Sequence, residues 1–244
     1  MIVAVSMFRN EGDVAKRVVE HLLAQGVNAV VVADNGSTDC TRMQLESVRG
    51  AVEIIDDPEV GYYQSEKMTR LAHHAMWLGA DWIVPFDADE VWYGEGGRTI
   101  AESLARCTAD VAVAFGYDHI ARHDDPAGHP FDVIQWRRPH RQKLPKVAFR
   151  PHPTMKLAQG NHMVRHPGRI ANDILCYRHF QYRSLSQMTA KVRNGTDAYK
   201  ATDLPEHEGA HWRRLAELSD DELEAEWLRL CSTDDLVHDP APVS

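Results

Sequence analysis

Short β-rich runs alternate with amphipathic helical patterns through the first half of the chain, and this alternation constrains the fold most. The predicted strands are Ile2–Met7, Val27–Ala33, Val52–Ile55, Asp81–Phe86 and Val111–Tyr117. Helical patterns fall between them, the first with Asp13 as its predicted N-cap and the others at Thr41–Val48 and Gln64–Leu78. Such alternation is typical of βαβ units. The sequence therefore predicts an α/β fold with a mostly parallel sheet flanked by helices.

The alternation weakens after about residue 118. A loop rich in His, Asp, Pro and Gly leads into two short predicted strands, around Val133–Trp136 and Lys146–Phe149. Helices are predicted at Ser184–Lys200 and Trp212–Leu230, and Asp234–Ser244 is predicted to be disordered. We therefore divide the chain into a main domain of residues 1–200, with halves 1–117 and 118–200, a C-terminal helical extension of residues 201–233, and a tail.

Composition excludes several classes of protein. The 244 residues are 43% hydrophobic, which suffices for one full core. The start of the sequence lacks the pattern of a secretory leader, and no stretch approaches ~18 uninterrupted apolar residues, so we expect a cytoplasmic protein without a transmembrane segment. Four widely spaced cysteines indicate neither a disulfide framework nor a cysteine-based zinc site. A net charge of −9 argues against a broad phosphate-binding surface but leaves room for a local basic patch.

Polar residues follow three of the predicted strands. They are Arg9-Asn10-Glu11, the run Asp34–Asp39, and Asp87-Ala88-Asp89-Glu90. Ligands of open α/β sheets bind beyond the carboxyl ends of the strands, so these three points are candidates for one site. Asp87 and Asp89 repel each other, and a divalent cation that also binds phosphate would relieve this repulsion. Taken singly, the second run is equally a tight turn before a helix, and the third is equally a solvated acidic loop.

The three motifs, in this order and spacing, resemble those of family 2 glycosyltransferases of the GT-A type, particularly small bacterial or phage members with a DNGSTD sequence. The matching stretches are Phe8–Glu11, Val32–Asp39 and Ile83–Glu90. Weaker similarity continues through Lys146–Pro151, Gly160–His162 and Arg178–Ser184, so that it covers roughly residues 2–195. The resemblance implies a GT-A (Rossmann-like) fold and transfer of a sugar from a nucleotide-diphosphate sugar, with a UDP-sugar slightly favoured as donor.

The resemblance also implies roles for particular residues. Asn10, Glu11 and Asp34 would lie near the nucleoside, and Asp87 would face the ribose or the sugar. Asp89, with Asp87 beside it, would hold Mn²⁺ or Mg²⁺. The complete set expected to bind the donor is Arg9, Asn10, Glu11, Asp34, Asn35, Gly36, Lys67, Asp87, Ala88, Asp89 and Lys146. A late histidine usually completes the metal site in such enzymes, and the candidates are His179, which we favour, and His162; each is equally well a packing or surface histidine.

The reaction that the resemblance implies is an inverting displacement with a carboxylate base. The second half of the chain lacks the Glu-Asp pair that is common in this family. Asp173 is therefore the first candidate for the base and Asp132 the second, although loop or capping roles suit both residues. The acceptor is unidentified: a saccharide, a lipid, a protein or a modified nucleic acid all remain open, as does the oligomeric state.

A basic segment, Trp136–Arg150, carries six arginine and lysine residues and no acidic one. We expect it to contact an anion, most simply the donor diphosphate, since arginine suits phosphate. A nucleic-acid or lipid-phosphate acceptor and a solvated loop are alternatives. Three other functions stay open for the whole chain: a sugar nucleotidyltransferase, although the loop after the first strand is poor in glycine; a noncatalytic nucleotide-sugar or carbohydrate-binding protein; and a nucleic-acid-binding module.

Overall fold

The computed structural model describes residues 1–205 and 209–240, which form twelve strands and eight α-helices. The strands are β1 Ile2–Phe8, β2 Ala29–Asp34, β3 Val52–Asp56, β4 Trp82–Pro85, β5 Glu90–Gly94, β6 Val111–Asp118, β7 Trp136–Arg137, β8 Lys146–Phe149, β9 Lys156–Leu157, β10 Val164–Arg165, β11 Ile170–His179 and β12 Val237–His238. The helices are α1 Ala15–Ala24, α2 Thr41–Glu46, α3 Gln64–Trp77, α4 Ile100–Arg106, α5 Pro130–Val133, α6 Leu185–Lys200, α7 Ala210–Ala216 and α8 Asp220–Cys231.

Eight of the strands form one sheet in the order β3-β2-β1-β4-β8-β6-β11-β5. The strands β3, β2, β1 and β4 run parallel, and β6 runs parallel to β11. The strand β8 is antiparallel to both of its neighbours, and β5 is antiparallel to β11. The predicted α/β fold with a mostly parallel sheet is therefore confirmed, and one sheet joins the two predicted halves.

Both faces of the sheet are covered, as the alternation of side chains along β1 shows. Val3 and Val5 pack with Met68 of α3 on one face, whereas Ala4 packs with Val18 of α1 on the other. Successive residues of a strand point to opposite faces, so an unbroken apolar run suits a strand that is buried on both sides. Because β1 pairs in parallel with both β2 and β4, the carboxyl ends of these three strands lie side by side.

The C-terminal helices differ from the single helix predicted at Trp212–Leu230. Two helices, α7 and α8, meet at Ser219, whose side chain accepts a hydrogen bond from the Glu222 N–H while the Glu222 carboxylate accepts one from the Ser219 N–H. This capping box starts a new helix and breaks the apolar periodicity there. Together with α6, these helices enclose a small separate cluster of Met188, Val192, Leu215 and Leu223.

Other local predictions also differ from the structure. Val133, the first residue of the strand predicted around Val133–Trp136, is instead the last residue of the single-turn helix α5, which begins at Pro130. Trp136 begins the short strand β7. The strands β5 and β11 and the helix α4 were not predicted. The N-cap position of α1 is Val14 rather than Asp13, because the Asp13 carboxylate pairs with Arg183 instead (Nε–Oδ2 2.7 Å).

The predicted disordered tail is partly described. Val237–His238 pairs as β12 with β7, and the Asp239 carboxylate accepts hydrogen bonds from Arg137 and Arg178. Residues 241–244 lie outside the described part of the chain. None of the helices in residues 1–205 and 209–240 is both long and apolar enough to span a membrane.

Candidate active site

A cleft of about 590 Å³ opens at the carboxyl ends of β1, β2 and β4 and is closed on its other side by α6. Its volume suits a small-molecule ligand. The strand ends contribute Arg9, Asn10, Glu11, Asn35, Asp87, Ala88 and Asp89 to its lining. The helix α6 contributes Gln187, Ala190, Lys191, Asn194, Gly195 and Ala198.

The loops after β1 and β2 are bonded to each other. Asn10, in the left-handed conformation with φ 56°, accepts a hydrogen bond from the Thr38 N–H (2.8 Å), and its own N–H donates to the Ser37 hydroxyl (3.1 Å). Asp34 accepts from the Ser37 N–H (3.0 Å), which gives its carboxylate a structural role in the turn. Gly36 supplies a positive φ of 68° in the same turn. The run after β2 therefore forms the predicted tight turn, and Asn35 in this turn lines the cleft.

Asn35 and Lys67 meet around Asp57 at the end of β3. The Asn35 amide donates to the Asp57 carboxylate (3.2 Å), and Lys67 forms a buried ion pair with the same carboxylate (2.7 Å). Asn35 lines the cleft, whereas Lys67 lies behind it. The Lys67 side chain is thus held as a support for the loop that carries Asn35.

Asp87 is held by polar side chains from distant parts of the chain. Its carboxylate lies 2.5 Å from the Lys146 ammonium and accepts hydrogen bonds from the Asn161 amide (3.0 Å) and the Gln64 amide (3.3 Å). Lys146 also pairs with buried Glu90 (2.8 Å). Burial disfavours the charged ammonium, yet the carboxylates of Asp87 and Glu90 raise the pKa of Lys146 well above its usual range. Lys146 therefore anchors the Asp87 motif from behind the cleft.

Asp89 lies on the cleft wall between two cationic groups. Its carboxylate bonds to the Lys191 ammonium and lies 3.6 Å from Nε2 of His179. Burial opposes ionisation of this carboxyl, but Lys191 and His179 hold the pKa of Asp89 well below its usual range. An ionised carboxylate at neutral pH is therefore available in the cleft.

His179, the last residue of β11, pairs with Glu90 of β5 in the sheet register, which brings it next to Asp89. Its Nδ1 lies 2.9 Å from the Asp118 carboxylate. Burial alone would lower the pKa of His179, but Asp89 and Asp118 raise it to about 10. Asp118 fixes the orientation of the ring and leaves Nε2 directed at Asp89.

Glu11 joins the strand-end motif to the chain after β11. Arg183 donates to the Glu11 carboxylate (2.6 Å) and to Asp13 (2.7 Å), with its own side chain only 1% exposed. Lys191 lies 3.4 Å from the other Glu11 oxygen. The motif after β1 is thereby fixed to the start of α6.

The two histidines predicted as alternative metal ligands occupy different places. His179 lines the cleft beside Asp89, whereas His162 is absent from the lining and its Nδ1 bonds to the Pro145 carbonyl (3.0 Å). Burial lowers the pKa of His162. The geometry therefore favours His179.

Neither carboxylate predicted as the base lies in the cleft. Asp173 forms an ion pair with Arg141 (2.6 Å) at a bulge in β11, and both side chains are exposed. Asp132 follows the first residues of α5 and pairs with Arg17 (2.9 Å), on the surface and away from Asp87 and Asp89. The structure does not bring these two carboxylates to the other predicted site residues.

Three cationic side chains of the basic segment Trp136–Arg150 pair with carboxylates of the described residues, and two of these three pairs are buried or half-buried. Arg137 pairs with Asp239 and its guanidinium stacks over the Tyr117 ring (3.9 Å). Arg150 stacks over Trp82 and points its donors at backbone carbonyls. Arg141 pairs with Asp173 and Lys146 with Asp87, and the lining of the cleft includes no residue of the segment, so its contact with an anion stays a prediction.

A divalent cation matches the donor atoms in the cleft, although within the described residues no three His, Cys, Asp or Glu side chains gather as a metal cluster. Asp89 offers carboxylate oxygen, and His179 would offer imidazole nitrogen at close range once a bound cation displaces the Nε2 proton. Both donor types suit Mn²⁺, and oxygen suits Mg²⁺. Two protein ligands would leave most coordination positions to phosphate or water, as in an open site rather than a closed structural one.

Sequence reasoning missed several residues that surround the cleft. Lys191, Arg183, Asn161 and Asp118 all contact predicted site residues. A signal existed for Lys191, because Gln187, Lys191 and Asn194 recur at helical spacing and put one polar face of α6 on the cleft. Asn161 and Arg183 lie within the later stretches of family resemblance, Gly160–His162 and Arg178–Ser184, but neither was given a role. Asp118 carries no local pattern that separates it from an ordinary strand end.

Comparison with known protein families identifies the family of the chain. The profile of Glycosyl transferase family 2 matches residues 4–163, well over half of the chain. No curated protein matches in sequence.

Among solved structures, S. aureus TarS in complex with UDP-GlcNAc is 13% identical over 93% of this chain and 71% of its own, with a TM-score of 0.47. Its complex with UDP is 14% identical over 93% of this chain and 70% of its own, with a TM-score of 0.45. Glucosyl-3-phosphoglycerate synthase from Mycobacterium tuberculosis, with Mn²⁺ and UDP, is 16% identical over 48% of this chain and 44% of its own, with a TM-score of 0.36. The family match confirms the resemblance first indicated by the three strand-end motifs, and the chain belongs to glycosyl transferase family 2.

Proposed function

We propose that this glycosyltransferase uses Mn²⁺ or Mg²⁺ to transfer a sugar, with inversion, from a nucleoside diphosphate sugar to an acceptor hydroxyl. The observation that carries the proposal is the approach of Asp89 to His179, 3.6 Å apart on the wall of a cleft that is also lined by both other strand-end motifs. The acceptor is not assigned. The proposal includes a cytoplasmic location and a UDP-sugar as the first donor to test.

The donor would lie along the strand ends. Asn10 and Asn35 offer amide groups at the cleft surface, while Asp34, Gly36 and Lys67 support their loops from behind. Amide and carboxylate groups of this kind discriminate a nucleobase and ribose through hydrogen bonds. Asp87, fixed by Lys146, would face the ribose or the sugar.

Asp89 and His179 would hold the metal ion. Such an ion neutralises charge that develops on a departing diphosphate. Asp118 would act through His179, because its hydrogen bond to Nδ1 keeps Nε2 available and orients the ring. An inverting displacement also needs a base opposite the leaving group. Because Asp173 and Asp132 lie outside the cleft, the proposal gives this role to neither of them.

The first test measures Mn²⁺ binding by electron paramagnetic resonance in the presence of UDP, for the wild type and for H179Q and H162Q. We expect H179Q to weaken Mn²⁺ binding at least about tenfold, since even the outer partners of metal ligands contribute 10- to 100-fold. H162Q is the matched control and should bind as the wild type does. Equal binding by both variants would remove His179 from the site.

The second test follows UDP release from UDP-sugars, with GDP-, dTDP- and CDP-sugars as further donors. We expect release that needs Mn²⁺ or Mg²⁺ and that is lost in D89N, and the anomeric configuration of the product, read by NMR, should be inverted. A protein that binds nucleotide and metal but releases no diphosphate from any donor would instead be a noncatalytic binding protein.

A further inference from the structure

Trp212 forms an aromatic edge of the cleft beside the second half of α6. It lies in the first turn of α7, is half-buried and lines the cleft. Its ring lies close to the backbone of α6, because a Cβ atom at residue 195 would be 3.2 Å from it. Glycine is unfavourable in the interior of a helix, so Gly195 is best explained by the space that the indole needs. The ring is therefore packed in place, with part of its surface open to a molecule in the cleft.

The wall of the cleft next to Trp212 is polar and almost uncharged. Its polar side chains come from α6 and the segment before it and are here called the α6 wall: Gln181, Ser184, Ser186, Gln187, Lys191 and Asn194. Three other charged residues of this helix, Arg193, Asp197 and Lys200, are absent from the lining. The Lys191 ammonium is already paired with the carboxylates of Asp89 and Glu11. The α6 wall thus offers mainly neutral hydrogen-bonding groups.

Asn194 offers its side-chain amide to a ligand. The residue is half-buried, lines the cleft, and has no hydrogen-bond partner for its amide within residues 1–205 and 209–240. An amide has two N–H donors and a carbonyl acceptor, which match a hydroxyl group that both donates and accepts. A ligand with several hydroxyl groups therefore satisfies Asn194 well.

An aromatic face beside neutral amides and hydroxyls suits a sugar ring. The C–H groups of the ring pack on the aromatic face, and its hydroxyl groups exchange hydrogen bonds with the polar side chains. A nucleic acid needs several cations that are free to bind phosphate, whereas the α6 wall holds Lys191 alone, and that ammonium is paired. A lipid chain needs a continuous apolar surface, which the amides and hydroxyls interrupt. Among these three kinds of acceptor, the saccharide is the one that this surface suits.

We propose that the acceptor is a neutral saccharide, which binds with one sugar ring on Trp212 and its hydroxyl groups on the α6 wall. The inference rests on the proposed function, since the donor of that reaction lies on the opposite wall, at the strand ends. A hydroxyl oxygen of the saccharide forms the new bond to the anomeric carbon of the donor. The bond from that carbon to the diphosphate breaks, its electron pair leaves with the nucleoside diphosphate, and the hydroxyl proton passes to solvent.

A glycan array of neutral mono- to tetrasaccharides tests the acceptor class, in the presence of UDP and Mn²⁺. Glucose 6-phosphate, glycerol 3-phosphate and a single-stranded oligonucleotide are titrated beside it as charged probes. We expect the tightest array ligand to bind at least about tenfold more tightly than any charged probe. The same saccharide should accept the sugar when a UDP-sugar is supplied as donor.

Variants of Trp212 test its contact with the sugar ring. W212A should weaken the binding of that saccharide about tenfold, because the aromatic face is lost, and should leave the affinity for UDP unchanged. W212F should keep part of the affinity. W77A is the matched control, because Trp77 at the end of α3 is 87% exposed and lies outside the cleft lining.

N194A carries the test even if W212A does not fold. Alanine is the better helix former, and the substitution strands no partner of Asn194 among the described residues. N194A should weaken saccharide binding about fivefold without lowering the unfolding midpoint, a combination that a merely structural role does not give.

Several outcomes would overturn the inference. They are unchanged saccharide affinity in N194A and W212A, tightest binding of a charged probe, and an equal loss of UDP affinity in W212A, which would place the ring at the nucleotide. A protein that binds UDP with Mn²⁺ but no member of the array would also overturn it, while leaving the proposed function intact. Failure to bind any nucleotide with or without Mn²⁺ would instead refute the proposed function, even if saccharide binding remained.

Discussion

The strand-end loops of the first half and the basic segment of the second half use polar side chains in opposite ways. In the loops, Asp34 accepts a hydrogen bond from the Ser37 N–H of its own turn, and Asn10 accepts one from the Thr38 N–H of the adjacent loop. In the basic segment, Arg137, Arg141 and Lys146 pair with carboxylates far away in sequence. The role of a motif whose partners are backbone groups can therefore be predicted from its own sequence. The role of a run of charged residues cannot be predicted in this way, because the carboxylates that pair with it lie elsewhere in the sequence.

The largest effect on the free energy of unfolding is expected at Lys146, where the long-range ion pairs are buried. Lys146 is about 5% exposed and holds both Asp87 and Glu90, so K146M leaves two carboxylates near each other without a cation. Removing one partner of a buried pair costs about 3–5 kcal/mol. We expect K146M to lower the free energy of unfolding by this amount in urea titrations.

K143M provides the control, since Lys143 is exposed in the same segment. It should change the free energy of unfolding by less than about 0.5 kcal/mol. The double variant K146M/E90Q should recover part of the loss, because it also removes one of the stranded charges. Equal stability of K146M and K143M would show that the buried ion pairs of Lys146 contribute no more to the free energy of unfolding than an exposed lysine of the same segment does.

The first strands of the sheet can be predicted from the sequence because their apolar runs and the turn residues at their ends are local features. The strands β1, β2 and β4 are mostly apolar runs, buried on both faces, with turn residues at their ends. The strand β5 escapes detection because it begins with charged Glu90. That residue is buried only because Lys146 neutralises it. No window of sequence around β5 contains this information.

The strand β11 escapes detection for another reason. Asn172 and Asp173 interrupt its apolar pattern, and Asp173 takes a left-handed φ of 54° where the register shifts between Ala171 and Leu175. A bulge of this kind hides the period of a strand from sequence inspection. The same strand carries His179, which is favoured over His162 from the sequence only because it follows the apolar run Ile174–Tyr177 and precedes a predicted helix.

Effects on stability of intermediate size are expected at two capping boxes, one in the main core and one in the C-terminal helices. Thr99 caps α4, which packs Ile100 and Leu104 into the main core, and Ser219 caps α8, which packs Leu223 into the small C-terminal cluster. Loss of either cap costs about 1 kcal/mol. We expect T99A to lower the global free energy of unfolding, since α4 belongs to the main core.

S219A should instead act locally. Hydrogen exchange of residues 220–231 should become about fivefold faster, with the global unfolding midpoint unchanged, because a small cluster opens separately from a large one. Each variant serves as the control for the other. A global loss of stability in S219A equal to that in T99A would show that the C-terminal helices and the sheet unfold as one unit.

The smallest effect is expected at the surface pair of Arg141 and Asp173, which has the same ionic chemistry as the Lys146 pair but lies in solvent. The two side chains are 43% and 55% exposed, so water and salt screen their attraction. D173N should change the free energy of unfolding by less than about 0.5 kcal/mol at low salt and by less still at high salt. Asparagine tolerates a positive φ nearly as well as aspartate does, whereas alanine does not, so D173A should be the less stable variant by about 1 kcal/mol.

Donor turnover by D173N tests whether Asp173 is the general base, which the stability of the ion pair does not. Because Asp173 lies outside the cleft, D173N should keep the turnover of the wild type and its dependence on Mn²⁺. A loss of turnover of about 100-fold or more, with UDP binding and folding unchanged, would match the loss of a general base. It would then require the bulge in β11 to move toward the bound donor. Hydrogen exchange at residues 171–175, with and without UDP, would detect that movement independently of activity.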